Sequence, residues 1–591
     1  MEDVFERLRQ RKIVQWALAY LAAAFALIQM LDLVGQRFGW PDWIARATIV
    51  VAAIGLVITL VLAWYHGERG QQRVTGIELF IVAVLLAIGG GMLWRVAHID
   101  NPAASVAPPP VASAPAPAPA KAGAPADLKS IAVLPLANTS GDPSNEYFSD
   151  GLSEELISVL ARIPDLKIIG RTSSFRFKNT TDDSRTIGER LGVANLLEGS
   201  VRKQGERVRI AVDLIAAVDG RQLWSATYDR DLKDIFAVQS EIATAVVEQL
   251  KLTLLGGDTA VHPATRDPSL PAYTAMLQGA HLLPNFNEAD LRKAIVYFEE
   301  ATRLDPGYAL AYAQLASAWR TLAALYLSEP ADIADSYRRA VAAADTALKL
   351  APNLSEAHVA LGYAKLTALL DYAGAETEFR RGNELAPGDA RPVDALGYLL
   401  ASQGRLDEAE ATSRRSIELD PLAVAPRFNL ARIEMATMRL DDAEQNLRKA
   451  IELQPTLSHA YAYLTTIDLM RNDPVAARRD ADREPPGFWR DYADALARQR
   501  EGDRAAADAA LKTMIEKYSY GGPYQIAIVY ALRKEPDRTF EWLDKAFDAH
   551  DSGLTQLFVT PFLADYRDDP RFAAIAAKLG VDSKRAGRDG T

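Results

Sequence analysis

Three apolar runs open the chain, at 13–34, 47–65 and 77–94. Each approaches the ~20 residues that a helix needs to cross ~30 Å of hydrocarbon. The pattern predicts three transmembrane helices within 13–96, behind a short segment at 1–12. A cleaved signal peptide fits poorly, because the first run is followed by two more spans. Past residue 127 the pattern changes. Short apolar runs and alternating stretches read as strands in KSIAVLPLAN, LKIIG, ANLLEGSVRKQG, ERVRIAVDLIAAVDG and RQLWSATYDRD. DGLSEELISVLARI, SRTIGERLG and IFAVQSEIATAVVEQL read as helices, giving a small α/β domain over 128–255. From 266 to 550 the spacing is helical throughout.

The basic residues orient the spans. Arg7, Arg9, Arg11 and Lys12 precede the first run, and Arg69 and Arg73 occupy the second loop; Arg37, Arg46 and Arg95 lie on the other side. The positive-inside bias puts the amino terminus in the cytoplasm. Three spans then put the rest of the chain in the periplasm of a multi-pass bacterial inner-membrane protein. Between membrane and domain lies a linker at 97–127. Residues 101–127 hold 11 Ala and 8 Pro in 27 positions, a composition that favours an extended, semi-rigid spacer.

The helical region repeats. Pro306, Pro352, Pro387, Pro421 and Pro455 follow one another at intervals of 46, 35, 34 and 34 residues. Twelve residues before each proline stands Ala294, Ala340, Ala375, Ala409 or Ala443. Five before it stands Ala301, Ala347, Gly382, Ser416 or Ala450. Small side chains there let paired helices approach, with Phe298, Phe379 and Leu447 filling between them. A 34-residue helix–turn–helix period of this kind resembles the tetratricopeptide repeat family. The resemblance implies an all-α solenoid of about eight repeats over 266–550, with a concave surface for proteins or peptides. The 46-residue interval implies one repeat with about twelve extra residues near 320–335. Residues 551–591 read as a tail capping the last repeat.

IAVLPLANTSGDP, YFSDGLSEEL, LLEGSVRK and LWSATYDRDLKDIFAVQ resemble the TolB amino-terminal-like domain, which is commonly joined to tetratricopeptide repeats. VFERLRQRKIVQWALAYLAAAFALIQ and the following GWPDW resemble the membrane segment of some such proteins. Relatives often carry a cyclase, kinase or winged-helix domain in front; with only twelve residues before the first span, none is expected here.

Charge and missing residue types narrow the chemistry. The net charge is −11. Residues 1–100 hold nine Lys/Arg and eight Asp/Glu, so the remainder carries −12, which argues against a nucleic-acid groove. There is no cysteine. The seven histidines lie too far apart in sequence for a metal helix. NTSGDPSNEYFSDGLSEEL (138–156) lacks the lysine of a phosphate loop and misses the glycine and acid positions of a calcium loop. It is expected to turn and cap: Gly141-Asp142-Pro143 leaves the strand, Ser149 or Asp150 caps the next helix, and Glu154 and Glu155 lie in its first turn. No cofactor or metal site emerges. The arginines of VRKQGERVR read as a solvated strand face, with reception of an acidic partner as the sharper alternative.

These readings converge on a non-enzymatic, membrane-anchored scaffold that recruits protein partners through the α/β domain and the solenoid groove. The alternative is a membrane signalling component whose α/β domain binds a ligand and relays it through the spans. Beyond protein partners the bilayer is a contact, and small residues such as Ala19 and Ala23 allow a homo-oligomer through the transmembrane helices. First-helix stripes place Glu356, Tyr363, Arg391, Asp394, Tyr398, Phe428, Arg432 and His459 on the groove. The repeats are expected to fold without the α/β domain.

Overall fold

A computed structural model describes residues 128–254, 266–283, 287–327 and 329–583. The three expected spans and the Pro/Ala linker lie outside these residues. Among the described residues no helix is long and apolar enough to cross a membrane.

The amino-terminal part is a mixed sheet. Its strands are β1 (Ser130–Val133), β2 (Ala137–Asn138), β3 (Lys167–Ile168), β4 (Asn195–Gln204), β5 (Arg207–Ala216) and β6 (Gln222–Asp231). They run in the order β3-β1-β4-β5-β6, with β2 also paired to β4. β3 and β4 flank β1 in parallel, whereas β4, β5 and β6 form an antiparallel meander. The expected first strand divides around Pro135, which has no N–H to give to a ladder. Gly205, at φ +58°, makes the tight β4–β5 turn that a larger residue would strain. Val208, Ile210, Val212 and Leu214 alternate inward on β5. Arg207 and Arg209 alternate outward and pair with Asp229 on β6, so an acid of the same sheet receives them.

Four helices belong to this sheet: α1 (Glu146–Leu160), the single turn α2 (Arg171–Ser174), α3 (Ser184–Leu191) and α4 (Ile235–Leu254). α1 buries Leu152, Leu156 and Leu160 in the same cluster as the inward side chains of β5, and α3 lies in the cluster of the opposite face. The capping expectation for α1 is corrected. The helix starts at Glu146, and Asp142 instead caps the short turn before it by accepting from the Ser144 N–H at 2.9 Å. Ser149 and Asp150 lie inside the helix and are buried, and Glu154 and Glu155 sit beyond its first turn. Pro143 starts a 3₁₀ turn that runs directly into the helix, so helical geometry begins earlier than the apolar periodicity suggests.

From Leu270 onward the described residues form eight helix pairs. They are α5/α6 (Leu270–Leu282, Glu288–Leu304), α7/α8 (Ala309–Leu325, Pro330–Leu350), α9/α10 (Ser355–Ala368, Tyr372–Leu385) and α11/α12 (Ala390–Ser402, Leu406–Leu419). The series continues with α13/α14 (Ala425–Ala436, Leu440–Leu453), α15/α16 (Ala460–Met470, Pro474–Ala481), α17/α18 (Phe488–Arg498, Arg504–Tyr518) and α19/α20 (Pro523–Leu532, Pro536–Asp548). Ala294, Ala340, Ala375, Ala409 and Ala443 are fully buried. A Cβ on Gly362 would stand 2.4 Å from the Phe379 ring, so the aromatic fills the space that glycine leaves. The insertion near 320–335 lengthens helices: α8 runs 21 residues where α10 and α12 run 14 each. The tail adds 3₁₀ turns at Ser552–Gln556 and Pro561–Tyr566 and a last helix, α21 (Pro570–Lys578).

One buried apolar cluster runs without a break from the sheet, through α1 and α4, into the first three helix pairs as far as Leu361. The sheet and these repeats therefore share a core, against the expectation that the repeats stand alone.

Candidate functional site: the internally filled face of the solenoid

Two parts of the same chain occupy the surface from which partner residues were selected. The first is α1 with the segment that follows it. The Gly388 N–H donates to Ala161 O (3.0 Å) and the Gly170 N–H to Leu419 O (2.8 Å). Asp420 accepts from both the N–H and the hydroxyl of Ser173, and the Ser173 hydroxyl accepts from the Leu422 N–H at 2.7 Å. Leu422, from the loop between α12 and α13, enters the apolar cluster formed by Ile169, Phe177 and Leu196. Deeper in the seat, the Tyr273 hydroxyl donates to Glu155 at 2.9 Å, and Gln239 bonds both of them. Burial pushes the Glu155 carboxyl up to about 8, against the opposing pull of these two bonds. Asp150 joins His281 (3.1 Å) and Lys178 (2.6 Å). Burial alone would raise its carboxyl, but the bonds from His281 and Lys178 outweigh that and hold it below the usual range.

The second occupant is the tail. The Tyr398 hydroxyl meets the Thr555 hydroxyl at 2.6 Å, the Tyr463 hydroxyl donates to Gln556 at 2.5 Å, and the Tyr524 hydroxyl meets Thr560 at 2.7 Å. The tail thus caps the last helix pair and also reaches four pairs back to α11.

The eight selected residues fall into three groups. Glu356 and Arg391 pair at 3.2 Å, and Arg391 also holds Asp389 (2.6 Å) and reaches Ser158 of α1 (3.4 Å). Tyr363 and Asp394 belong to the wall: Tyr363 packs edge-on against Phe379 under the Arg320 guanidinium, and Asp394 accepts from Asn429 at 3.1 Å. Burial pushes the Asp394 carboxyl up to about 7. Tyr398, Phe428, Arg432 and His459 form a third group with Tyr463 and Trp489. Arg432 lies over the Tyr398 ring at 5.2 Å, and Phe428 meets His459 at 4.5 Å and Tyr463 at 4.7 Å. Burial, helped by the Arg432 charge, lowers His459 to about 4, so the ring is neutral at pH 7. Phe428 and Arg432 are buried rather than displayed. Arg432 Nε and Nη2 have no hydrogen-bond partner among the described residues and line a cavity of ≈ 20 Å³.

Between α1, the start of α4 and the first four helix pairs lies a larger cavity of ≈ 130 Å³. Val159, Phe236, Leu277 and Leu310 give it apolar walls, and Arg162, Glu155, Glu356 and Arg391 line it with charge and hydrogen-bonding groups. No cluster of three or more metal-ligating side chains occurs among the described residues. Sequence reasoning gave Glu155 only a place at a helix start, and it missed Tyr273, Gln239 and Asp420 altogether. Nothing local marks their roles, since each is defined by a partner on another element.

A tetratricopeptide-repeat family model matches residues 393–421, within the helix pair α11/α12. The carboxy-terminal part of the chain is thus a helical-repeat solenoid containing a tetratricopeptide repeat. A protein of Rhizobium meliloti (strain 1021) named "Putative adenylate cyclase 3" is 38% identical over 186 residues. The match covers 32% of this chain and 32% of that relative, so the chain spans about a third of its length. That relative overturns the expectation that the chain is not an enzyme. Among solved structures, a thermophilic tetratricopeptide protein of Thermus thermophilus is 21% identical, covering 31% of this chain and 92% of its own, with TM-score 0.27. PilF of Pseudomonas aeruginosa is 18% identical, covering 36% and 93%, with TM-score 0.29.

Proposed function

We propose that the chain is a membrane-anchored interaction scaffold, held in a bacterial inner membrane by the apolar runs at 13–96 and presenting its sheet domain and solenoid in the periplasm. The observation that carries this reading is the tetratricopeptide match at 393–421 within a stack of eight helix pairs. Stacked pairs of this kind offer extended surfaces for protein partners. The sheet domain belongs, in this reading, to the TolB amino-terminal-like class. Of the eight selected residues, Arg391 and Glu356 stand at the junction of sheet and solenoid, where a partner would meet both at once. The aromatic group around His459 would be reached by displacing the tail. Affinity capture from membranes with the full chain, compared with a chain lacking 260–591, tests the reading. Partners retained by the shortened chain would move the interaction away from the solenoid. Alkaline phosphatase fused after Ala126 tests the compartment: an active fusion supports the periplasm, and an inactive one places the domains in the cytoplasm.

A second reading is favoured by the cyclase-named relative. In it the region shared with that protein is a signalling module, which senses a state of the solenoid or of a ligand and conveys it to nucleotide-cyclising chemistry. Cyclic AMP formation from ATP by the purified full-length chain would place that chemistry in the chain itself. Its absence, with partner capture intact, would leave the module regulatory.

A further inference from the structure

The ≈ 130 Å³ cavity between the sheet domain and the first repeats contains polar groups that the protein does not satisfy itself. Glu356 is nine-tenths buried, with 10% of its side chain exposed. One oxygen accepts from Arg391, but Oε2 is buried without a hydrogen-bond partner. A buried carboxylate oxygen left unpaired is costly, and its natural complement is a charged N–H donor. Arg162, two residues past the end of α1, lines the same cavity; its guanidinium makes no side-chain hydrogen bond or salt bridge among the described residues, and only its charge acts on Glu155. Its complement is an anion. Val159, Phe236 and Leu310 supply an apolar wall in the same cavity.

A ligand that satisfies all three features carries an ammonium group, a carboxylate and an apolar body. Size restricts it further. The cavity is well under the ~300 Å³ from which drug-sized pockets begin. Polyphosphates are disfavoured because Arg391 is already committed to Asp389 and Glu356, leaving one uncommitted guanidinium. We propose that the cleft between α1 and the first repeats is a binding site for a small apolar α-amino acid, with its ammonium at Glu356 and its carboxylate at Arg162. The site bridges the two folded parts, so occupancy would strengthen the seat of one on the other. This gives the signalling reading a ligand class, and its test is separate from partner capture and from cyclase activity.

The test is the melting temperature of the purified full-length chain titrated with L-leucine, L-methionine and L-phenylalanine, with N-acetyl-L-leucine and L-leucinamide as single-charge controls. At least one free amino acid should raise the melting temperature in a saturable way, and neither control should. Glu356→Gln and Arg162→Ala should each weaken the apparent affinity at least about tenfold. Glu356→Gln also touches the pairing to Arg391. If that variant melts early without ligand, Arg162→Ala decides the matter, because among the described residues the Arg162 guanidinium forms no salt bridge or side-chain hydrogen bond and acts on Glu155 only through its charge. No rise with any of the three amino acids overturns the proposal. So does a rise that N-acetyl-L-leucine reproduces, or one that Arg162→Ala leaves unchanged.

Discussion

Against the amino-terminal repeats the chain sets a whole domain, and against the carboxy-terminal repeats it sets a short tail of two 3₁₀ turns and one helix, α21. The sheet domain docks through backbone bonds such as Gly170 N–H to Leu419 O, through buried acids at Asp420 and Glu155, and through an apolar cluster common to both sides. The tail docks through tyrosine hydroxyls on α11, α15 and α19. Its own apolar side chains, Leu554, Leu557 and Phe558, join the core of the last repeats. Backbone bonds and buried carboxylates fix one geometry and cost much when broken. The hydroxyl of the half-buried Tyr398 can exchange Thr555 for water or for a partner's side chain. The sheet therefore behaves as part of the solenoid, and the tail contact with α11 as a removable occupant.

The largest expected effect comes from removing the sheet. A 266–583 fragment would expose Tyr273, Met276 and Leu277, all at most 2% exposed in the intact chain. Each costs roughly 1.5–3 kcal/mol when returned to water. The fragment should lose the cooperative melting of its first three helix pairs, with amide exchange there accelerated while α17 to α20 stay protected. A fragment that melts like the full 128–583 region would show that the repeats are independent after all.

Less drastic is Asp420→Ala. It strands the Ser173 N–H in a buried seat and should destabilise by about 1–3 kcal/mol. Calorimetry should show the sheet and the first repeats shifting together. If only the sheet's transition moves, the two regions are not one unit.

How far the sequence foretold this division depends on the separation of the partners. The ladder of small residues was readable because its logic repeats: Gly362 and Phe379, for example, meet within one helix pair. The strands were readable because alternation on β5 is a local property. The seat was not. Ser173 and Asp420 are 247 residues apart, Asp150 and His281 131, and Tyr398 and Thr555 157. A single sequence holds no periodicity connecting such positions. Ser149 and Asp150 were read as caps because short polar side chains before an apolar run suit that role, yet the helix starts earlier, at Glu146, and inside it Asp150 finds tertiary partners in Lys178 and His281. The groove stripe rests on helical phase, which is blind to occupancy. Phe428 and Arg432 share that phase, and neighbouring rings cover them.

A smaller effect tests the tail. Tyr398→Phe removes one hydroxyl contact, to Thr555, while keeping the ring under Arg432. The expected loss is about 1 kcal/mol or less. Limited proteolysis after residue 550 should accelerate while the melting temperature barely moves. A large drop in stability would mean that the tail is as integral as the sheet.

The effect most informative in its pH dependence is expected from Glu155→Gln. With its folded value at about 8 against an ordinary 4.5, the carboxyl is mostly protonated at pH 7, and glutamine closely mimics that form. The groups facing it are Glu154 and Arg162 on its own segment and Tyr273 and Tyr308 from the repeats. Burial is the dominant cause of the shift; repulsion from Glu154 adds to it, whereas Tyr273, Gln239 and Arg162 oppose it. The folded state holds this proton more tightly than the unfolded chain does. Its contribution is therefore fully present below about pH 4.5 and is lost as pH rises through about 8. Stability measured by denaturant from pH 5 to pH 9 should fall in the wild type relative to Glu155→Gln, with the difference levelling off above about pH 8. The decline should appear in the amide exchange of α5 and α1 and be absent from α19, because the tail's seat does not contain Glu155. Parallel curves for the two proteins would show that the carboxyl is solvated, and that the sheet's seat is less buried than its contacts imply.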